Sequence, residues 1–153
     1  GWSNYYRASN YPYMYKTRSA FSNIIKYRYA DILLLKAEAL IMGESSNLPA
    51  AAEIIDKVRQ RVKLSKLSSA TKASKDAMLT AVLNERRLEL AFEGQRWYDL
   101  ARLNKVESVM NAVFAKDSGR KPQVYQFNEN SYRLPIPQSI IDQNPKIKQN
   151  LGY

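Results

Sequence analysis

The chain has no cysteine and no histidine among its 153 residues. Without cysteine, no disulfide braces the fold and no thiolate can bind a metal or attack a substrate. Without histidine, Ser/His and Cys/His catalysis and most zinc sites are excluded. An enzyme built from this chain would depend on Asp, Glu, Lys, Tyr or Ser. Long apolar runs are missing as well, and Ile32–Leu35 is far too short to cross a bilayer. Acidic residues are in deficit: 14 Asp and Glu face 24 Lys and Arg, a formal charge of +10. That balance suits nucleic acid or an anionic surface when the cations converge on one element. Here they are spread along the chain. The densest short cluster, Lys57, Arg59, Arg61 and Lys63, is interleaved with apolar residues and reads as a solvated helix face. Neither a nucleic-acid partner nor a cofactor is expected.

The apolar share, 45%, is that of a globular protein rather than a disordered one, and the length suits a single domain over 1–153. The chain opens on Gly1 with no initiator Met and no targeting pattern, as a mature or excised piece of something longer would. Residues 1–27, rich in Tyr, Ser and Asn, read as extended or irregular; 28–113 read as helical; 114–153 read as a loop-rich tail. From Arg28 to Met42 only a narrow arc with Asp31 and Glu38 is polar, so other helices should flank this one until Gly43 stops it. Pro49 suits the first turn of a second helix to Lys63, with Ala51, Ile54, Ile55, Val58 and Val62 on one face and Glu53, Asp56, Gln60 and Lys63 turned away. With a short connection the two form an antiparallel, tetratricopeptide-like pair, and the fold class is mostly α. A polar linker follows. Ser74 is placed to cap a third helix, which runs to Glu93 before Gly94. Gln95 to Val113 is helical again, with an interruption near Asn104. Pro135 and Pro137 keep "YRLPIPQ" out of any central strand, and "QSIIDQNP" allows one helical turn.

The stretch "NERRLELAFEGQRWYDLARL" carries charge after charge among large apolar residues. On the wheel the outward polar arc holds Thr80, Asn84 and Arg87, while Glu85, Arg86, Glu89 and Glu93 fall inside the apolar arc. Unpaired charges there would cost several kcal/mol each. They are expected to pair with one another, with Arg96 or Asp99 beyond Gly94, or with backbone groups at helix ends. Arg86 in particular should meet Glu89 or Glu93 along the helix face, or a backbone carbonyl. A paired-carboxylate active site is the competing reading. Two Glu residues four apart on one helix point the same way and do not flank a substrate, and a nearby Arg would hold each ionised. The internal scaffold is the better account, with no catalytic and no metal-binding residue assigned.

Aromatic residues crowd the first segment. Rings in exposed loops can stack on sugars or bases, and they can equally lie as a strap across helices. Trp2, Tyr5 and Tyr6, alternating with Ser3, Asn4 and Arg7, are the candidate ligand-binding residues; for them both readings stand, while Tyr13 and Tyr15 suit the strap.

Four blocks, "RYADILLLKAEAL", "IIDKVRQRVKL", "AVLNERRLELAFEGQRWYDLARL" and "YRLPIPQSIIDQNPKIKQNLGY", resemble in that order the C-terminal part of the SusD/RagB family. Gln95 stands where that family often has His, and Ala101 and Leu103 where it often has Arg and Trp. The resemblance implies a mostly helical cell-surface lipoprotein of the outer membrane. Such a protein binds oligo- or polysaccharide, or another nutrient, without cleaving it, and serves a SusC-type TonB-dependent transporter. Family members are several times longer, so the chain resembles a C-terminal fragment whose only membrane tie would be a lipid anchor on the missing N-terminus. The rival reading is a helical-repeat module that binds protein and no glycan.

Overall fold

The computed structural model describes residues 16, 25–116 and 126–153 in full, and the backbone of 5–6 and 11–12. It divides into two compact units, Gly1–Gly94 and Gln95–Tyr153. It is mostly helical, as the periodicity requires, and among the described residues no helix is long and apolar enough to cross a membrane.

The first unit opens with two short strands, β1 (Tyr5–Tyr6) and β2 (Tyr11–Pro12), paired antiparallel with Tyr6 opposite Tyr11. Helix α1 (Tyr29–Met42) is built of strong helix formers, with Asp31 in its first turn. Gly43 ends it, but not in the left-handed conformation usual for such a glycine: its φ is −57°. The need is for space, since a Cβ there would sit 3.2 Å from the carbonyl oxygen of Ala39. Helix α2 (Leu48–Arg61) starts on Asn47, whose side chain accepts the Ala50 N–H at 3.1 Å, and carries Pro49 in its first turn. The connection 43–47 is too short to carry the chain back along a helix about 20 Å long, so α1 and α2 run antiparallel.

Between α2 and the next long helix, the expected polar linker holds a turn of helix, α3 (Ser69–Lys72), capped by Ser68. Asp56 organises it. Expected to face away, Asp56 is instead buried, accepting the Leu67 N–H and the Lys72 ammonium, each at 2.7 Å. Helix α4 (Lys75–Glu89) is capped by Ser74 and ends four residues earlier than expected. Past Leu90 the backbone turns left-handed at Phe92 (φ 66°) and again at Gly94 (φ 78°), which closes the helix before Glu93 can join it.

Leu34, Ala37 and Ile41 of α1, Ala51, Ala52, Ile55 and Val58 of α2, and Met78 and Val82 of α4 form one apolar core. The alanines bring α1 and α2 close, and each large side chain there contributes about 1.5–3 kcal/mol. The same face of α1 also buries Asp31 and Glu38, while Tyr29, Ile32 and Met42 point to solvent. The narrow polar arc of this helix therefore faces inward.

In the second unit α5 (Arg96–Arg102) and α6 (Val106–Lys116) are separated at Asn104, whose φ is 52°. A 3₁₀ turn, Glu129–Tyr132, follows with a reciprocal cap between Asn128 and Ser131, and α7 (Gln138–Gln143) supplies the expected helical turn. The extended "RLPI" stretch is not in a sheet. The Gln149 side chain accepts the Ile136 N–H at 2.8 Å and donates to the Ile136 carbonyl at 2.9 Å. Asn150 donates to the Leu134 carbonyl at 2.6 Å, and the Tyr153 hydroxyl to that of Arg133 at 3.1 Å. Side chains from "QNLGY" thus do the work of the neighbouring strand that two prolines would disfavour.

Candidate functional site

The charges of α4 are paired mainly outward, to residues on other elements. Arg86 is 2% exposed; its Nη1 reaches Asp31 Oδ1 of α1 at 2.7 Å and the Asp31 carbonyl at 3.3 Å. The expected backbone carbonyl is there, but the carboxylate is Asp31, which sequence reasoning left out of the network. Its signal was a place, shared with Glu38, on the narrow polar arc of a largely apolar helix. Glu85, also buried, accepts from Arg59 Nη1 at 2.9 Å, and Arg59 also donates through Nε to the Ser65 carbonyl at 2.8 Å.

Glu89 and Glu93 are brought together by a single guanidinium. Arg28 Nη1 donates to Glu89 at 2.6 Å, and Arg28 Nε contacts both oxygens of Glu93 at 3.1 and 2.8 Å. Arg61 Nη2 contacts both oxygens of Glu89 at 2.8 Å. Lys16 pairs with Glu93 and donates to the carbonyls of Glu89 at 2.7 Å and Ala91 at 3.1 Å, and Arg28 also donates to the Glu89 carbonyl. The Glu89 carbonyl is one that a helix end leaves without an intrahelical donor, Ala91 lies in the turn just beyond, and cations there also meet the negative pole of the helix. The last turn of α4 is thus capped by side chains from upstream.

The cluster Lys57, Arg59, Arg61 and Lys63 therefore divides. Lys57 is exposed, its ammonium 6.0 Å from the centre of the Tyr29 ring, and Lys63 is exposed too. Arg59 and Arg61 are not simply solvated; they supply the countercharges of Glu85 and Glu89. Arg96 and Asp99 belong to the second unit. Asp99 is buried and accepts from Arg102 at 2.9 Å, one turn on, and Arg96 opens α5 half-buried.

Burial pushes the Glu93 carboxyl up, but the hydrogen bonds and charges of Arg28 and Lys16 outweigh it and leave the group below its ordinary value. The Arg28 guanidinium is raised in return: bonding to Glu93 is the strongest influence, burial opposes it, and Glu89 adds to it. A carboxylate held this way is a fixed anion rather than a proton donor. Among the described residues no buried side-chain nitrogen or oxygen lacks a hydrogen-bond partner.

Of the candidate ligand residues, Trp2 lies outside the described residues. Tyr5 and Tyr6 are described by their backbone alone, as β1.

The SusD family model matches residues 2–153. Two SusD-like proteins of Formosa agariphila are similar: P38, 37% identical over 139 residues, and P2, 33% identical over 144 residues. These alignments take in 86% and 89% of this chain but 25% and 27% of the relatives, so the chain spans about a quarter of their length. Among solved structures, a SusD-like protein from Bacteroides fragilis aligns with a TM-score of 0.66 at 27% identity, over 96% of this chain and 29% of that one. A SusD superfamily protein from Parabacteroides distasonis aligns at 0.65 over 84% of this chain and 27% of its own; at 24% identity that likeness concerns the fold alone.

Proposed function

This chain belongs to the SusD family, and from that premise we propose that it serves non-catalytic capture of a glycan or related nutrient at the outer-membrane surface. It would do so as the C-terminal part of a longer lipoprotein that hands its ligand to a SusC-type TonB-dependent transporter. The observation that carries this reading is the family match over nearly the whole chain, at identities of 33–37% to curated SusD-like proteins. The charge network supports the non-catalytic part. The two carboxylates most suggestive of acid–base chemistry, Glu89 and Glu93, are each engaged by two cationic side chains. Glycosidic hydrolysis needs one carboxyl able to donate a proton and one able to attack or activate water.

Trp2, Tyr5 and Tyr6 remain the proposed contact residues, because flat rings alternating with polar side chains suit sugar faces and hydroxyls. The test is calorimetric titration of the full-length protein with a panel of oligo- and polysaccharides, with product analysis of each mixture. Binding without new reducing ends is expected. Turnover of any glycan that a Glu89→Gln change abolishes would replace this reading with an enzymatic one. Binding to no saccharide would remove the glycan, and affinity unchanged by Trp2→Ala with Tyr5→Ala would move recognition away from the first segment.

A further inference from the structure

Residues 25–28 enter α1 without secondary structure, and their apolar members do not hold them in place: Ile25 is 45% and Tyr27 75% exposed. Among the described residues, the contacts that tie Lys16 and Arg28 to the rest of the unit are polar. Lys16 and Arg28 converge on the end of α4 and the turn after it, where they meet the carboxylates of Glu89 and Glu93 and the carbonyls of Glu89 and Ala91. Glu93 is the shared element, since both cations contact it, and its side chain is only 4% exposed. It also sits just past the left-handed turn at Phe92, in a short stretch whose geometry turns the chain back on the helix end.

We infer that Glu93, with Lys16 and Arg28, is an electrostatic clasp that holds Lys16 and residues 25–28 to the end of α4, so that the placement of these residues depends on charge rather than on their own apolar packing. The consequence reaches upstream. Lys16 lies four residues after Pro12, and four steps of chain cover at most about 14 Å. Anchoring Lys16 therefore confines the β1–β2 pair to the neighbourhood of the α4 end. Glu93 is in this sense a positioning residue for the aromatic segment. The link to ligand rests on the proposed binding function, whereas the clasp does not.

The test uses the full chain with two variants, Glu93→Gln and Lys16→Gln. The second alters a half-exposed side chain and leaves the core untouched. The rate of tryptic cleavage after Arg28, whose side chain must leave Glu89 and Glu93 to enter the protease, and acylation of the Lys16 amine are followed by mass spectrometry. In Glu93→Gln, cleavage after Arg28 should rise at least about tenfold, the factor for one hydrogen bond to a charged group. Lys16 should then label as fast as exposed Lys36, while amide exchange in α1, α2 and α4 around Leu34, Ile55 and Val82 stays within about twofold. Lys16→Gln should reproduce a smaller part of the cleavage effect, and raising salt from 0.05 to about 1 M should shift the wild type the same way. Unchanged cleavage after Arg28 in both variants would overturn the clasp. So would an equal rise of amide exchange across the three core helices, which would make Glu93 a contributor to global stability alone. Saccharide affinity measured on the same proteins separates the two ideas. A wild type that binds no saccharide defeats the function and leaves the cleavage result standing. A wild type that binds, with affinity unmoved by a variant that has released 25–28, defeats the positioning role.

Discussion

The two units are held together by different means. In the first, α1, α2 and α4 close over a contiguous apolar core, and the charges within it are matched by partners from other helices. Among the described residues of the second, only Leu100 and Val106 are fully buried apolar side chains. There, side-chain amides brace the backbone. Asn111 accepts the Phe127 N–H and donates to the Phe127 carbonyl, both at 2.9 Å, and Gln149 does the same for Ile136. Trp97 and Phe114 flank Phe127, with ring centres 6.3 and 5.5 Å away. The difference bears on which contacts each unit can lose. A core fails by cavities and orphaned charges; a braced loop fails one hydrogen bond at a time.

The largest effect should come from orphaning a charge in the core. Arg86→Ala leaves Asp31 buried without its guanidinium and should destabilise the first unit by about 3–5 kcal/mol. Arg87→Ala, on the exposed face one residue on, should stay within about 0.5 kcal/mol. Equal losses of melting temperature in the two variants would break the account of α4. The double change Asp31→Leu with Arg86→Met should recover most of the loss, since a buried ion pair costs desolvation that an apolar pair of similar volume does not. A double variant no better than Arg86→Ala would show that further contacts of this arginine dominate.

Next is the cavity. Leu34 is fully buried between the helices, and Leu34→Ala should cost about 2–5 kcal/mol, confined by amide exchange to the first unit. A loss below about 1 kcal/mol would mean that the core closes up around the gap.

The first unit was also the more legible in the sequence. Helical period, Pro49 and the Ser74 cap are local signals there, as the break at Asn104 is in the second unit, and each was found where it was expected. The wheel also placed Glu85 and Arg86 inside, because direction around a helix is fixed by spacing. It could not supply the neighbour. That Arg86 meets Asp31, Glu85 meets Arg59, and Asp56 turns inward to Leu67 and Lys72 depends on which helices touch, and spacing within one helix does not carry that. The end of α4 was misplaced for a related reason. Leu90 to Glu93 has helical composition, and the turn at Phe92 is bonded to Lys16 and Arg28 from far upstream. In the second unit the bracing amides lack any period, so the pairing of "RLPI" with "QNLGY" was invisible although both had been singled out. The proposed ligand residues Trp2, Tyr5 and Tyr6 came from composition alone, which names ring types but not their faces.

A smaller effect belongs to the braces. Asn111→Ala removes two hydrogen bonds to the Phe127 backbone and should cost about 1–3 kcal/mol, felt in the second unit. Asn111→Asp keeps the acceptor and loses the donor, so it should fall between wild type and Ala. Exchange that rises in α1 or α4 instead would contradict the separation of the two modes of support.

The smallest and most graded effect is pH. In the first unit two carboxylates lie below their ordinary values. Burial pushes Asp56 up, but bonding from Lys72 and from the Leu67 N–H, with the charges of Lys72 and Lys66, brings it lower overall. Glu93 is likewise pushed up by burial and brought lower overall by Arg28 and Lys16. A carboxyl depressed in the folded state binds its proton more weakly than it does in the unfolded chain. Its contribution is therefore present above the unfolded value, near 3.8 for Asp56 and 4.5 for Glu93, and is lost as pH falls through the folded value beneath. Acid should thus reach the first unit through these groups, by loosening the α3 staple and the α4 end, while its apolar core is indifferent to protons. The measurement is melting temperature from pH 6 down to pH 2 for the wild type and for Asp56→Asn with Glu93→Gln. The double variant should start lower at pH 6 and fall less steeply below about pH 4.5, because it has fewer depressed carboxyls to protonate. Parallel curves would mean that these two ion pairs do not couple folding to protons, and that the polar contacts of the first unit add register without adding acid sensitivity.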